Sequence, residues 1–217
     1  MAHAADRPYV DVPDWSRPGL IDDIRARLAT QVSVDNDVNL AAAAERSRGI
    51  AKDAESFALL WLGEEGLGLG IDLGGRILCG ARGGAGEIGY MPAGPEGDFQ
   101  DLVGGPAILA LAAEHGIAAD RTATAATDER LLRPLAERVA VGIAAVVAVL
   151  DPALVVLAGE VGQAGGAPLA EAVGTALREL SVLDTEIAAT GLTEDAVLLG
   201  ALDTTLTAVR AALLSRR

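Results

Sequence analysis

Cysteine is nearly absent from this sequence: Cys79 stands alone, so no disulfide can form within one chain. Histidine is almost as scarce. His3 and His115 lie far apart and no CxxC pair accompanies them, which leaves a structural zinc site without visible ligands. Basic residues are outnumbered, 17 Lys and Arg against 31 Asp and Glu, for a formal net charge of −14. Such a surface repels a phosphate backbone unless a local basic patch overcomes it, so direct DNA binding by this chain is not expected. Long apolar runs are missing too. The most apolar one, "VAVGIAAVVAVL" (139–150), is too short to span a bilayer and abuts Glu137 and Arg138. It reads as a buried helix. The N-terminal "MAHAADRPYV" lacks the apolar centre of a secretory signal. Together these absences predict a cytoplasmic protein with no membrane span.

What is present suits a packed core. The 217 residues are 51% hydrophobic and 22% charged, enough for one domain or two small ones and not the composition of a disordered chain. Residues 1–18 hold Pro8, Pro13 and Pro18 and read as an extended lead-in around Trp15. "GLIDDIRARLA" (19–29) places Leu20, Ile21, Ile24 and Leu28 on one helical face. "QVSVDND" (31–37) alternates like a short strand, and "VNLAAAAERSRG" (38–49) reads as a helix stopped at Gly49. Asp35, Asn36 and Asp37 then sit at a strand-to-helix junction. "SFALLWLG" (56–63) and "GLGLGIDLGG" (66–75) predict two strands with a turn at Glu64-Glu65, and "GRILCGA" (75–81) a third, forming an antiparallel meander. A glycine- and proline-rich loop (81–97) follows, then a helix in the second half of 101–116 and one or two helices over 128–152, ended by Asp151-Pro152. "ALVVLAG" (153–159) predicts a buried strand, and 167–180 and 193–214 two further helices. The order predicts an α/β fold. Cys79 is expected inside as a small apolar residue, and Trp15 and Trp61 as core anchors.

Four blocks carry a resemblance: "VDNDVNLAAAAE" (34–45), "GLGLGIDLGGRILCGARGGAGEIGY" (66–90), "LDPALVVLAGEVGQAG" (150–165) and "TEDAVLLGAL" (193–202). In this order and spacing they resemble the ROK family of repressors, open reading frames and sugar kinases. The resemblance implies an actin-like ATPase (ribonuclease H-like) α/β fold. It also implies that the first lobe, with its own phosphate loop, is largely missing, because family members carry it ahead of the NDxN segment that here begins at Asn36. Residues 1–55 would be a remnant of that lobe and 56–217 the second lobe. "GIDLGG" (70–75), which alone looks like a phosphate loop, is then a hairpin in which Gly74-Gly75 make the turn and Asp72 points from a strand.

The resemblance assigns roles. Asp37 would be the catalytic base that accepts a proton from a sugar hydroxyl, and Asn36 would bind sugar hydroxyls. The plainer reading of Asn36 with Asp35 is a helix cap. Glu87 would accept hydrogen bonds from a polyol. Tyr90 stands where the family has a histidine that contacts the sugar and often binds zinc, and Gln100 where a glutamate follows the zinc segment. That segment is "MPAGPEGDF" here, without cysteine, so no metal is expected. On the nucleotide side the second phosphate turn reads Glu64-Glu65-Gly66, and Glu160 replaces a loop glycine. One like-charged pair at ~4 Å costs about 1 kcal/mol in water and more in a drier site, which argues against ATP and magnesium. The expectation is an effector-sensing and self-association portion of a ROK-type transcriptional regulator. It would bind a sugar or sugar phosphate, form a dimer through apolar helical surface in 101–150, and reach DNA only through a segment absent from this chain. The alternative is an ATP-dependent ROK sugar kinase. A third reading is a ligand-free interaction module.

Overall fold

The computed structural model describes residues 17–94, 97–193 and 195–215. Trp15 lies outside them. Helix α1 (Leu20–Leu28) forms where expected, yet none of its residues is buried. Residues 31–36 form no strand. The alternation there has no neighbouring strand to pair with, and Val34 is exposed. Helix α2 (Asp37–Arg48) starts at Asn36, whose Oδ1 accepts from the Val38 and Asn39 amides at 2.9 and 3.3 Å.

Strands β1 (Ser56–Leu62) and β2 (Leu67–Leu73) pair antiparallel, with Leu60 opposite Leu69. The expected third meander strand is reduced to a bridge between Asp72 and Ile77. Gly74 and Gly75 take φ of +62° and +80°, and Leu73 donates to the Arg76 carbonyl at 3.0 Å, a tight turn both glycines permit. Beyond Leu78 the chain leaves the sheet, so Cys79 is exposed and not a core residue. A 3-10 turn (Ile88–Tyr90) and helix α3 (Phe99–Val103) follow, then α4 (Gly105–Glu114), α5 (Thr122–Ala126) and α6 (Glu129–Leu150). α3 supplies a helical turn in the first half of a stretch expected to be helical only in its second. α6 runs unbroken through Pro134, near its start. Strand β3 (Leu154–Ala158) pairs parallel with β1, and β4 (Glu186–Ala189) parallel with β3, giving the order β2-β1-β3-β4. All five residues of β3 are buried, as a parallel strand covered on both faces requires. The half-exposed edge strand β4 has no such run, and its sequence carried no strand signal.

Two helical layers cover the sheet. Ala58, Leu60, Leu62, Leu69 and Ile71 face a core shared with α3 to α6 and with α7 (Gly159–Leu180), a helix kinked at Gly166. Phe57, Leu59, Leu154 and Val156 face the smaller core under α2, with the half-buried Trp61 and the start of α8 (Ala196–Leu214) against it. Close approach explains the residues used on that side. Ala41, Ala42 and Ala44 are fully buried, and a Cβ on Gly70 would stand 2.7 Å from that of Ala42. Most apolar side chains of 101–150 lie inside, with Val141 and Val149 of α6 facing out.

Two buried ionisable groups tie α2 down. The Arg46 guanidinium meets the buried Asp72 carboxylate twice, Nη2 to Oδ1 at 2.5 Å and Nε to Oδ2 at 3.2 Å. Its Nη1 donates to the carbonyls of Ala51 and Ala54 at 3.0 and 2.6 Å, and the group lies 5.0 Å from the Phe57 ring centre. Glu45 is buried, accepting from the Ile50 amide at 3.0 Å and from the Thr190 hydroxyl. Burial raises its carboxyl above the ordinary 4.5, against the lowering effect of those two hydrogen bonds.

Arg46→Met is expected to lose about 3–5 kcal/mol in urea unfolding by stranding Asp72, and the double variant with Asp72→Leu to recover much of it. For Glu45 the folded state holds its proton more tightly than the unfolded chain, so this group's contribution weakens as pH rises from 4.5 through the raised value. Glu45→Gln cannot lose a proton. Whatever fixed cost the amide carries, the stability of Glu45→Gln relative to wild type should increase across that window in thermal unfolding.

Candidate functional site

The site begins at the N-terminus of α2. Asn36 spends Oδ1 on the cap, leaving its amide NH2 as a donor. The next residue, Asp37, is exposed, and its Oδ1 accepts from the Val38 amide at 2.8 Å. Its second oxygen has no hydrogen-bond partner among the described residues. Asp35 braces the turn, its Oδ1 accepting from the Asn36 amide at 2.8 Å and from Asn39 Nδ2 at 3.1 Å. Asn39 is buried and was not singled out from the sequence, although it is the last residue of the NDxN motif.

The second wall comes from the loop after β2. Leu69 donates to the Gly86 carbonyl at 2.8 Å, stitching the loop to the strand edge. Gly86 has φ of +91°, and a side chain there would run into the Leu69 carbonyl, so only glycine permits this approach. The stitch sets Glu87 just ahead of the 3-10 turn, half-buried and not used as a cap. Loss of solvent, and then the negative charge of Asp37, raise its carboxyl above the ordinary value. The charge of Asp37 thus reaches Glu87 although the two are far apart in the chain. With the Asn36 amide they offer acceptors and a donor, a set that suits a polyhydroxylated ligand.

Tyr90 ends the turn, 68% exposed as a residue, its hydroxyl without a partner among the described residues. Gln100 lies on α3 under the turn. A Cβ on Gly89 would stand 3.2 Å from its Oε1, and its amide also crowds Gly104. Gln100 thus supports the turn from below. Met91, Pro92, Ala93 and Gly94 provide no imidazole, thiolate or carboxylate, and among the described residues no three His, Cys, Asp or Glu side chains gather around one point.

The β1–β2 turn is occupied by the protein's own charges. Glu64 forms a two-pronged pair with Arg121, at 3.0 Å to Nε and 3.1 Å to Nη2. Glu160, in the first turn of α7, accepts from the Glu64 amide at 3.3 Å. Gly159 has φ of +75° and sits against the Leu62 carbonyl, bringing the start of α7 onto the turn. The glutamates do not simply repel one another. Arg121 offsets Glu64, and a backbone N–H holds Glu160. An incoming anion would have to displace Glu160 from that N–H and meet both charges.

The chain has the mixed α/β sheet and helical layers of the ROK sugar kinases. The structure of the ROK hexokinase from Thermus thermophilus superposes with a TM-score of 0.71 at 31% identity, over 87% of this chain and 69% of that one. A ROK family transcriptional regulator, a homologue of the Escherichia coli MLC protein, matches with a TM-score of 0.72 at 22% identity, over 85% of this chain and 54% of that one. The ROK family profile covers residues 9–207, and the chain belongs to the ROK family. It is 36% identical over 190 residues to the bifunctional enzyme NanE/NanK of Brucella suis, covering 82% of this chain and 35% of that protein. It is 33% identical over 91 residues to the N-acetylglucosamine repressor of Shigella flexneri, 42% of this chain and 21% of the repressor. The chain thus spans about a third of the first relative and a fifth of the second.

Two outcomes test this geometry. Asp37→Asn removes a negative neighbour, so the Glu87 carboxyl should titrate at lower pH in NMR; an unchanged Glu87 titration would show that the two groups do not face each other. Gly86→Ala should cost about 1–3 kcal/mol, because alanine must adopt a left-handed conformation there.

Proposed function

We propose that this chain is the effector-sensing and self-association portion of a ROK-type transcriptional regulator. It binds a sugar or sugar phosphate between the Asn36-Asp37 corner and Glu87, with Tyr90 at the rim and Gln100 beneath. It works in the cytoplasm without zinc or magnesium-ATP, and reaches DNA through a segment outside this chain. Binding shifts the populations of two arrangements by the ligand's differential affinity for them. Self-association runs through the 101–150 stretch, where Val141 and Val149 stand outside.

The observation that carries this reading is a contrast between the two ends of the site. The sugar-side carboxylates Asp37 and Glu87 keep unpaired oxygens. The nucleotide-side turn is filled by Glu64, Arg121 and Glu160. Likeness to kinases and regulators is shared across the family, so fold alone does not choose between them.

A second reading, an ATP-dependent sugar kinase, is favoured by the unpaired oxygen of Asp37, which a base needs, and by the 36% identity to NanE/NanK.

Thermal unfolding with glucose, N-acetylglucosamine, N-acetylmannosamine and their 6-phosphates, with and without magnesium-ATP, separates them. A ligand at a hundredfold its Kd should add about 2.7 kcal/mol, or roughly 5–10 °C. The sensor reading predicts that shift without ATP, its loss in Glu87→Gln, and no further shift when ATP is added. Sugar-dependent ATP consumption that disappears in Asp37→Asn would establish the kinase instead. No shift with any of these sugars would overturn sugar binding by this chain.

A further inference from the structure

Asn39, the third residue of α2, is buried and polar, and its side-chain amide has two hydrogens to place. Its Nδ2 donates to Asp35 Oδ1 at 3.1 Å and lies 3.9 Å from Cys79 Sγ, within reach of a sulfur acceptor. Its backbone N–H donates to Asn36 Oδ1 at 3.3 Å. The Cys79 thiol has a weak donor of its own, with the Ile77 carbonyl 4.0 Å away. Partial loss of solvent, and then the charge of Asp35, raise this thiol above its ordinary 9.0, so it stays protonated at neutral pH.

These contacts join the two walls of the site. Asp35 and Asn36 belong to the corner that presents Asp37. Cys79 stands at the foot of the loop that leads to Glu87. Its carbonyl accepts from the Ala85 amide at 3.3 Å, and Gly80, with φ of +76°, packs on Ala85. The residue after Ala85 is Gly86, the one fastened to Leu69. Among the described residues no other hydrogen bond or ion pair runs between 35–39 and 79–90. Otherwise the walls are placed separately, one by the far end of α2 and the other by the edge of β2. The gap between Asp37 and Glu87 then depends on what ties them together.

We infer that Asn39 is a positioning residue which, through Asp35 on one side and the Cys79 thiol on the other, sets the spacing of Asp37 and Glu87 and so the affinity of the site for its ligand. It acts only through those neighbours. Its effect on affinity rests on the sugar-binding reading; its effect on the spacing does not.

The test follows the Glu87 titration by NMR, with and without Asp37→Asn, in the wild type and three variants. Asn39→Leu has the same branching and neither donor. Cys79→Val loses the acceptor at an exposed position. Cys79→Ser keeps a donor and an acceptor. In the wild type, Asp37→Asn should lower the Glu87 titration. In Asn39→Leu and Cys79→Val, Glu87 should already titrate lower, and Asp37→Asn should add less than half of its wild-type effect, the non-additivity expected of groups that act through one another. Cys79→Ser should restore the wild-type pattern. Lost packing alone would lower stability and leave the response to Asp37→Asn intact. Calorimetric binding of N-acetylglucosamine should weaken about tenfold in Asn39→Leu and Cys79→Val, and less than about threefold in Cys79→Ser. A full response to Asp37→Asn in folded Asn39→Leu or in Cys79→Val would overturn the inference. So would a wild-type Glu87 that ignores Asp37→Asn, or a Cys79→Ser chain that behaves like Cys79→Val. If Asn39→Leu does not fold, the Cys79 variants decide. If no sugar binds the wild type, the sugar reading falls while the Glu87 titrations still decide the positioning.

Discussion

The ion pair between Arg46 and the buried Asp72 organises this half of the molecule. A carboxylate with 1% exposure is tolerated only when paired and hydrogen-bonded, and here a forked guanidinium and the Gly75 amide do both. The same arginine takes the carbonyls that lead from α2 into β1, so one side chain joins a helix, a loop and an inner strand of the sheet to its edge. Because α2 is held at this end, its N-terminus is placed beside the loop stitched to β2 through Gly86.

The two acidic regions differ in how their charges are partnered. The Asn36, Asp37 and Glu87 side chains keep donor and acceptor atoms unpaired among the described residues. The β1–β2 turn spends its capacity internally, on Arg121 and on the amide that Glu160 accepts from. Electrostatic energies depend on what surrounds a charge, so a glutamate at a turn is uninformative until its neighbours are known. Arg121, 57 residues beyond Glu64, offsets one of the acidic charges at that turn and leaves it negative.

The layered fold was legible because its signals are local and redundant. Buried β3 reads as an unbroken apolar run, α2 as an alanine-rich helix with a polar cap, and β2 as leucines alternating with glycines. The failures share a cause as well. Residues 31–36 alternate without a partner strand, the run from 75 to 81 turns away after one bridge, and β4 pairs although its four residues carry no pattern. Strand formation depends on a neighbour, and a neighbour distant in the chain leaves little trace in a short window. Cys79 moved from an expected core position to the surface for the same reason.

Residue types and motif order were enough to identify the family and to mark the NDxN segment and the acidic β1–β2 turn, because each is a matter of which atoms are present. Pairing of charges across the fold was not accessible that way. The Arg46–Asp72 anchor, the buried Glu45, the Glu64–Arg121–Glu160 cluster and the role of Asn39 all depend on which distant residues pack together. Burial and partnership, which set the energy of a charge or an apolar surface, exist only once the chain has folded.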